Sequence, residues 1–88
     1  MINEELTVLK TASIKRIARI IISDWGRPSP YAKPYIEAML TMDKITDPYY
    51  LDPGREIVAR FLCNARIWKG DVARVVKKEL NARLKQTI

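Results

Sequence analysis

Apolar side chains recur along this chain at the spacing that places them on one face of a helix, and they do so in four separate stretches. The first predicted helix runs from about Ala12 to Trp25, with Gly26 as its C-terminal stop. The second runs from Pro34 to about Met42, because proline is well tolerated in the first turn of a helix. Proline-containing loops separate these stretches, and no alternating strand pattern competes with the helices.

A third and a fourth helix are predicted in the second half of the chain. Asp52-Pro53-Gly54 is a typical helix start, in which Asp52 caps free backbone amides and Pro53 takes the first helical position. This helix is predicted to end near Ile67 to Gly70, and Asp71 is predicted to cap the last one. The side chains expected to share one core are Ile21, Leu40, Phe61, Leu62 and Val76.

These elements predict an all-α protein with about four helices in an orthogonal array. A chain of 88 residues has room for one core, so residues 11–88 are expected to form a single domain. Residues 1–10 are predicted to be an N-terminal arm, a candidate for poor order in which Leu6 and Leu9 are able to dock on the core. A core this small also favours completion by a second copy of the chain, so a homodimer is one expected state.

Composition indicates where such a protein works. Apolar residues make up 48% of the chain, which is typical of a globular domain rather than a disordered one. Cys63 is the single cysteine, so a disulfide-stapled secreted scaffold is excluded and a reducing compartment is favoured. The first residues are acidic and the longest isoleucine run, 20–22, is too short to span a bilayer. We therefore expect a cytoplasmic protein without membrane insertion.

Catalytic machinery is hard to find in this sequence. The chain has no histidine and one cysteine, so the commonest general base, the usual zinc ligand sets and the familiar nucleophile arrangements are missing. Cys63 is predicted to be partly exposed, with no neighbour placed to activate it. Asp43, Asp47 and Asp52 match no calcium-loop spacing, and two of them precede proline as turn residues do. The sequence predicts a non-enzyme with no metal and no cofactor.

Positive charge is concentrated toward the C-terminus. The formal net charge is +6, and the segment after residue 59 carries all of the excess. At about 100° per residue, one side of the last predicted helix presents a set of polar and cationic residues opposite its apolar stripe. This basic face consists of Arg74, Lys77, Lys78, Asn81 and Lys85. It is a candidate nucleic-acid surface, and the alternative is a solvated face that complements the helix dipole.

Aromatic residues gather in the predicted loops, where they often anchor partners. The candidate partner-binding residues are Tyr31, Tyr49, Tyr50 and Trp68. The alternative is that such side chains seal the ends of a small helical core. Glu79 and Arg83 fall toward the apolar side of the last helix, where they can pair with each other or with a second chain.

Three segments carry a resemblance to known proteins: residues 32–39, residues 54–58 with Phe61 and Leu62, and residues 68–70 with Ala73 and Arg74. Together they resemble a group of short, uncharacterised helical proteins of bacterial and phage type. The resemblance covers about Ile17 to Leu84. It implies a helical fold and a phage or mobile-element setting, and it brings no activity, ligand or catalytic residue with it.

The expected function is that of a non-enzymatic binding or adaptor protein, which meets a protein partner or another copy through its aromatic loops or an apolar seam. The alternative is a nucleic-acid-binding protein that uses the basic face of its last helix. The two differ in their response to salt, because phosphate binding weakens steeply as salt rises and a mainly apolar contact does not.

Overall fold

The computed structural model describes residues 9–86, in which four helices account for most of the chain. They are α1 (Ile14–Asp24), α2 (Lys33–Met39), α3 (Gly54–Cys63) and α4 (Asp71–Gln86). Residues 9–11 are also helical. The strand content of the described part is one isolated bridge between Tyr49 and Asp52. The all-α prediction is therefore confirmed, while most of the predicted N-terminal arm lies outside the described residues.

The four helices pack as a closed ring around one core. Each helix contacts the next in chain order, and α4 returns to contact α1. Three of the predicted core residues, Ile21, Phe61 and Val76, are fully buried, whereas Leu40 and Leu62 are half-buried at the edge of the core. The largest fully buried side chains are Leu9, Ile14, Ile17, Ile21, Ile36, Met39, Met42, Val58, Phe61, Val76 and Leu80.

The segment before α1 packs against the C-terminal half of α4 and is hydrogen-bonded to it. Leu9 is buried, and its carbonyl oxygen accepts a hydrogen bond of 2.6 Å from the Arg83 guanidinium. Arg83 also pairs with Glu79 at 2.8 Å, and both side chains are largely removed from solvent. The predicted pairing of these two residues is confirmed within one chain. The pair supports the docking of Leu9 and needs no second copy to be satisfied.

The ends of α1 are set by a serine cap and a tryptophan contact. Ser13 accepts a hydrogen bond of 3.1 Å from the amide of Arg16, which satisfies one of the free donors at the helix start. The helix ends at Asp24, where Trp25 takes the cap position and its ring stacks on Trp68. Gly26 directly follows this cap, as the predicted stop requires, but it does not adopt the left-handed backbone of a glycine terminus.

The predicted boundaries of α3 also need correction. Asp52 does not cap this helix, because Pro53 occupies the cap position and no side chain bonds the free amides. The backbone of Asp52 is instead paired with Tyr49 through hydrogen bonds of 2.9 and 3.0 Å. At the other end α3 stops at Cys63, several residues before the predicted end, and the side-chain amide of Asn64 donates a hydrogen bond of 2.8 Å to the Arg60 carbonyl.

Backbone contacts fix the connection between α2 and α3 against the start of α1. The carbonyls of Met42 and Asp43 accept hydrogen bonds of 2.8 and 2.9 Å from the amides of Lys15 and Ile14. The Asp47 carboxylate accepts two more from the amides of Asp43 and Lys44, each of 3.0 Å. The hydrogen bonds from the Lys44 and Asp43 amides lower the pKa of Asp47. This aspartate therefore serves the turn, as its position before proline predicts.

Candidate binding surfaces

The basic face of α4 is divided by the packing of Lys77. The Lys77 ammonium group donates a hydrogen bond of 2.6 Å to the Trp68 carbonyl and lies 5.8 Å from the centre of the Trp68 ring. Burial, and to a smaller extent the charge of Lys69, lowers the pKa of Lys77. Lys77 is therefore held against the connection before α4 and is not one of a row of freely solvated cations.

The other four members of the basic face are more open to solvent. Arg74 pairs with Asp71 at 3.2 Å, and because both side chains are 76% exposed this ion pair contributes little. Asn81 donates to the Lys77 carbonyl within the helix. None of the ion pairs between described residues involves Lys78 or Lys85. The accessible cations of the face are thus Arg74, Lys78 and Lys85, because Lys77 is packed against Trp68.

A cationic cluster that helical periodicity does not predict surrounds the first turn of α4. Arg66 and Lys69, from the connection before the helix, join Arg74 and Lys77 around a shallow depression of about 350 Å³. The backbone reaches this arrangement through Gly70, whose φ of 113° favours glycine over any other residue. The four residues do not share one helix face, so only the folded connection brings them together.

Trp68 belongs to the core and is not an exposed partner-binding residue. Its ring is 3% exposed and stacks on Trp25 with centroids 5.8 Å apart. The indole N–H donates a hydrogen bond of 2.8 Å to the Asp24 carboxylate, and the ring meets Phe61 edge to face. The alternative role in sealing the core fits this residue, because a partner would find almost no surface of it to contact.

Two other aromatic candidates form a protruding turn. Tyr49 is half-buried, whereas Tyr50 is 86% exposed and the adjacent Leu51 is 99% exposed. The paired backbones of Tyr49 and Asp52 close the turn, and the two tyrosine rings meet edge to face at 4.7 Å. Tyr50 has a φ of 55°, and no other non-glycine residue of the described part has a positive φ. Leu51 is not among the predicted partner-binding residues, although residues 49–51 carry more apolar bulk than a connecting loop requires, and its exposure is evident only in the folded turn.

The remaining candidate, Tyr31, lies in a second apolar area. Tyr31 is 76% exposed and Ile67 is 72% exposed, and both line a shallow depression with Cys63. Arg66 lines this depression as well as the cationic one, so the two depressions are adjacent. Exposure of the Cys63 thiol agrees with the prediction made for it.

The described residues contain no group of three or more histidine, cysteine or acidic side chains placed to hold a metal ion. The Asp43 carboxylate pairs with Lys15 at 3.3 Å, and the Asp47 carboxylate accepts backbone hydrogen bonds in its turn, so both have structural partners. Asp52 belongs to a turn through its backbone. Within residues 9–86, no helix has the length and apolar character needed to cross a membrane.

Among residues 9–86, three surfaces are candidates for contact with a ligand or partner. They are the apolar turn tip of Tyr50 and Leu51, the cationic cluster beside Tyr31, and the accessible lysines Lys78 and Lys85 on α4. No protein-family model, curated protein or solved structure matches the chain.

Proposed function

We propose that this chain is a non-enzymatic binding or adaptor protein that meets another protein, or a second copy of itself, through the turn tip formed by Tyr50 and Leu51. The observation that carries the proposal is the near-complete exposure of two adjacent large apolar side chains on a closed turn. Burying an exposed leucine or tyrosine against a partner makes the free energy of binding more favourable. Tyrosine is also enriched among the residues that contribute most to binding.

The backbone of the turn supports a binding role. Tyr50 is the first central residue of a two-residue turn and has the positive φ that a type II′ turn reserves for glycine. A left-handed backbone costs a residue other than glycine about 1–2 kcal/mol. Strain of this kind persists where the surroundings impose it, and it is concentrated at functional sites. An exposed tyrosine at this position gives the fold no burial in return, so we assign its role to binding.

The turn is also organised before any partner arrives. Two hydrogen bonds between Tyr49 and Asp52 close it, and the half-buried Tyr49 ring packs against Tyr50. A preorganised tip loses less conformational entropy on binding than a flexible loop does. Tyr50 and Leu51 thus meet the two requirements of a binding anchor, which are exposed apolar area and a fixed direction.

Replacing Leu51 with aspartate and Tyr50 with asparagine is expected to abolish binding while leaving the fold intact. Asparagine tolerates a left-handed backbone and both positions face solvent, so the free energy of unfolding should change by less than about 0.5 kcal/mol. Loss of two anchors should weaken a protein contact by at least about 2 kcal/mol, or roughly thirtyfold. Sedimentation velocity measures self-association, and photo-crosslinking from the exposed position 52, in cells that make the wild-type chain or a variant, reports other partners.

The matched control is Ile67→Asp, which adds the same charge at another exposed apolar position outside the turn. Self-association or crosslinking that disappears in the turn variant and persists in the control supports the proposal. A monomer that forms no adduct from position 52, or an equal decrease in both variants, would contradict it.

A second candidate function is nucleic-acid binding through the basic face of α4. Lys78 and Lys85 favour it, because they are accessible and make no ion pair within the described residues, and the chain carries a net charge of +6. Phosphate contacts require such accessible cations. Fluorescence anisotropy with short DNA and RNA at low salt tests this function. We expect binding that weakens as salt rises, and no signal at tens of micromolar protein would reject it.

A further inference from the structure

We propose that the surface around Arg66 binds single-stranded nucleic acid, with the cations beside the first turn of α4 holding phosphates and Tyr31 stacking on a base. This inference rests on the second function proposed above. The inference places the nucleic-acid contact at the N-terminal end of the basic face of α4. It adds Tyr31 as an aromatic side chain for base stacking, which the basic face itself does not contain.

Charge at this surface is strongly one-sided. Arg66, Lys69, Arg74 and Lys77 line the depression, and Asp71 is the one acidic residue among them. The ion pair of Asp71 with Arg74 is exposed on both sides, so a phosphate can compete for the guanidinium at little cost. None of the ion pairs within the described residues involves Arg66 or Lys69. The cluster therefore has more positive charge than its own carboxylate neutralises.

Lys77 has a fixed position in the cationic cluster because Trp68 holds its ammonium group. Its ammonium group is held by the Trp68 carbonyl and the Trp68 ring, so its position is set by the core. The charge of Lys69 is close enough to help lower the pKa of Lys77. A bound phosphate would offset the repulsion between the two ammonium groups. Cations that are kept close together without an anion between them are suited to an anionic ligand.

Tyr31 distinguishes a single strand from other polyanions. Tyr31 is 76% exposed and lines one depression with Ile67, and Arg66 lines both this depression and the cationic one. An exposed aromatic next to a cationic groove is the arrangement used to bind single strands, in which unpaired bases stack on the ring while phosphates follow the charge. Bases in a duplex are already stacked and do not offer their faces. A preference for single strands follows.

The test is fluorescence anisotropy of the wild-type chain with labelled probes of about 12 nucleotides, within the roughly 4–16 nucleotides that single-strand sites cover. The probes are oligo-dT, oligo-rU, a duplex hairpin and an abasic strand, which keeps the phosphates and removes the bases. The charge variant is Arg66→Gln with Lys69→Gln, and its matched control is Lys78→Gln with Lys85→Gln. The aromatic variant is Tyr31→Ala, and its control is Ile22→Ala, at another exposed apolar position that belongs to neither proposed surface.

We expect both single strands to bind more tightly than the duplex or the abasic strand. Tyr31→Ala should weaken oligo-dT binding roughly 5- to 150-fold and leave abasic binding unchanged, since stacking contributes per base. The charge variant should flatten the dependence of log affinity on log salt by about 0.7 for each phosphate that its side chains no longer hold. Ile22→Ala and the Lys78/Lys85 variant should have smaller effects.

Cys63 provides a second readout, because it lies in the same depression as Tyr31 and is the only cysteine of the chain. Saturating oligo-dT is expected to slow its alkylation by neutral iodoacetamide, and Tyr31→Ala should reduce that protection. Unchanged alkylation at saturation would place the strand elsewhere and overturn the inference.

The remaining outcomes separate this inference from the function on which it rests. Equal affinity for the duplex and the single strand, or loss of binding only in the Lys78/Lys85 variant, would overturn the inference and leave nucleic-acid binding in place. Polyglutamate binding as tightly as oligo-dT would also overturn it, by showing a surface for any polyanion, including an acidic protein. Absence of binding to every probe would reject both.

Discussion

Replacing Phe61 with alanine is expected to lower the free energy of unfolding by about 3–5 kcal/mol. Phe61 is the largest of the fully buried side chains among the described residues. Its ring meets Trp68 edge to face at 6.4 Å, so its removal opens a cavity beside the tryptophan that closes the core. An 88-residue domain of ordinary stability has only about 4–13 kcal/mol in total, so the variant is expected to be close to unfolding.

Urea denaturation followed by tryptophan fluorescence measures this loss. Phe61→Leu is a second variant that keeps most of the volume, and it should lose about 1–2 kcal/mol and stay folded. Ile67→Ala is the exposed control and should change stability by less than about 0.5 kcal/mol. A loss of under about 1 kcal/mol for Phe61→Ala would show that the interior differs from the packing described above.

Replacing Gly54 with alanine is expected to destabilise the chain by about 2–3 kcal/mol, although alanine favours helices. A β-carbon at Gly54 would overlap the Asp47 carbonyl oxygen and lie 2.7 Å from the Ile45 carbonyl oxygen. Both are backbone atoms of the connection between α2 and α3, which also contacts the start of α1. They cannot move aside as a flexible side chain can, so the connection itself has to shift.

Gly26→Ala is the matched control for this prediction. A β-carbon at Gly26 would meet nothing within 4 Å, and the residue does not have a positive φ. Alanine there should be neutral or stabilise the chain by up to about 1 kcal/mol, because it restricts the unfolded state. Thermal unfolding of the two variants compares them directly. Equal stability of Gly54→Ala and Gly26→Ala would mean that the close approach at Gly54 does not exist.

Trp68 connects the core with the cationic surface. The same residue stacks on Trp25, bonds Asp24 and holds the Lys77 ammonium group. Variants of the core near Trp68 are therefore expected to disturb Lys77 as well, and they are poor tests of ligand binding. The exposed residues Arg66, Lys69 and Tyr31 avoid this difficulty, because none of them is part of the buried core.

The sequence by itself determined the helical class, the number of long helices and three of the five residues expected to share the core. It also predicts that Glu79 pairs with Arg83 and that Cys63 is exposed, and both predictions are confirmed. These features follow from forces that act within a few residues of chain. Apolar spacing selects the buried face of a helix, proline positions limit where a helix begins, and residues four apart lie side by side.

Only the tertiary structure decided which residues are available on the surface. The Trp68 side chain is buried, and its indole N–H donates a hydrogen bond to Asp24, which lies 44 residues away in the chain. The Trp68 carbonyl accepts a hydrogen bond from the Lys77 ammonium group and so holds Lys77 against the connection before α4. The sequence predicts Asp52 as the cap of α3, but its backbone is used to close the turn with Tyr49. Local patterns do not contain these outcomes, because each depends on which distant or competing group reaches a polar atom in the folded chain.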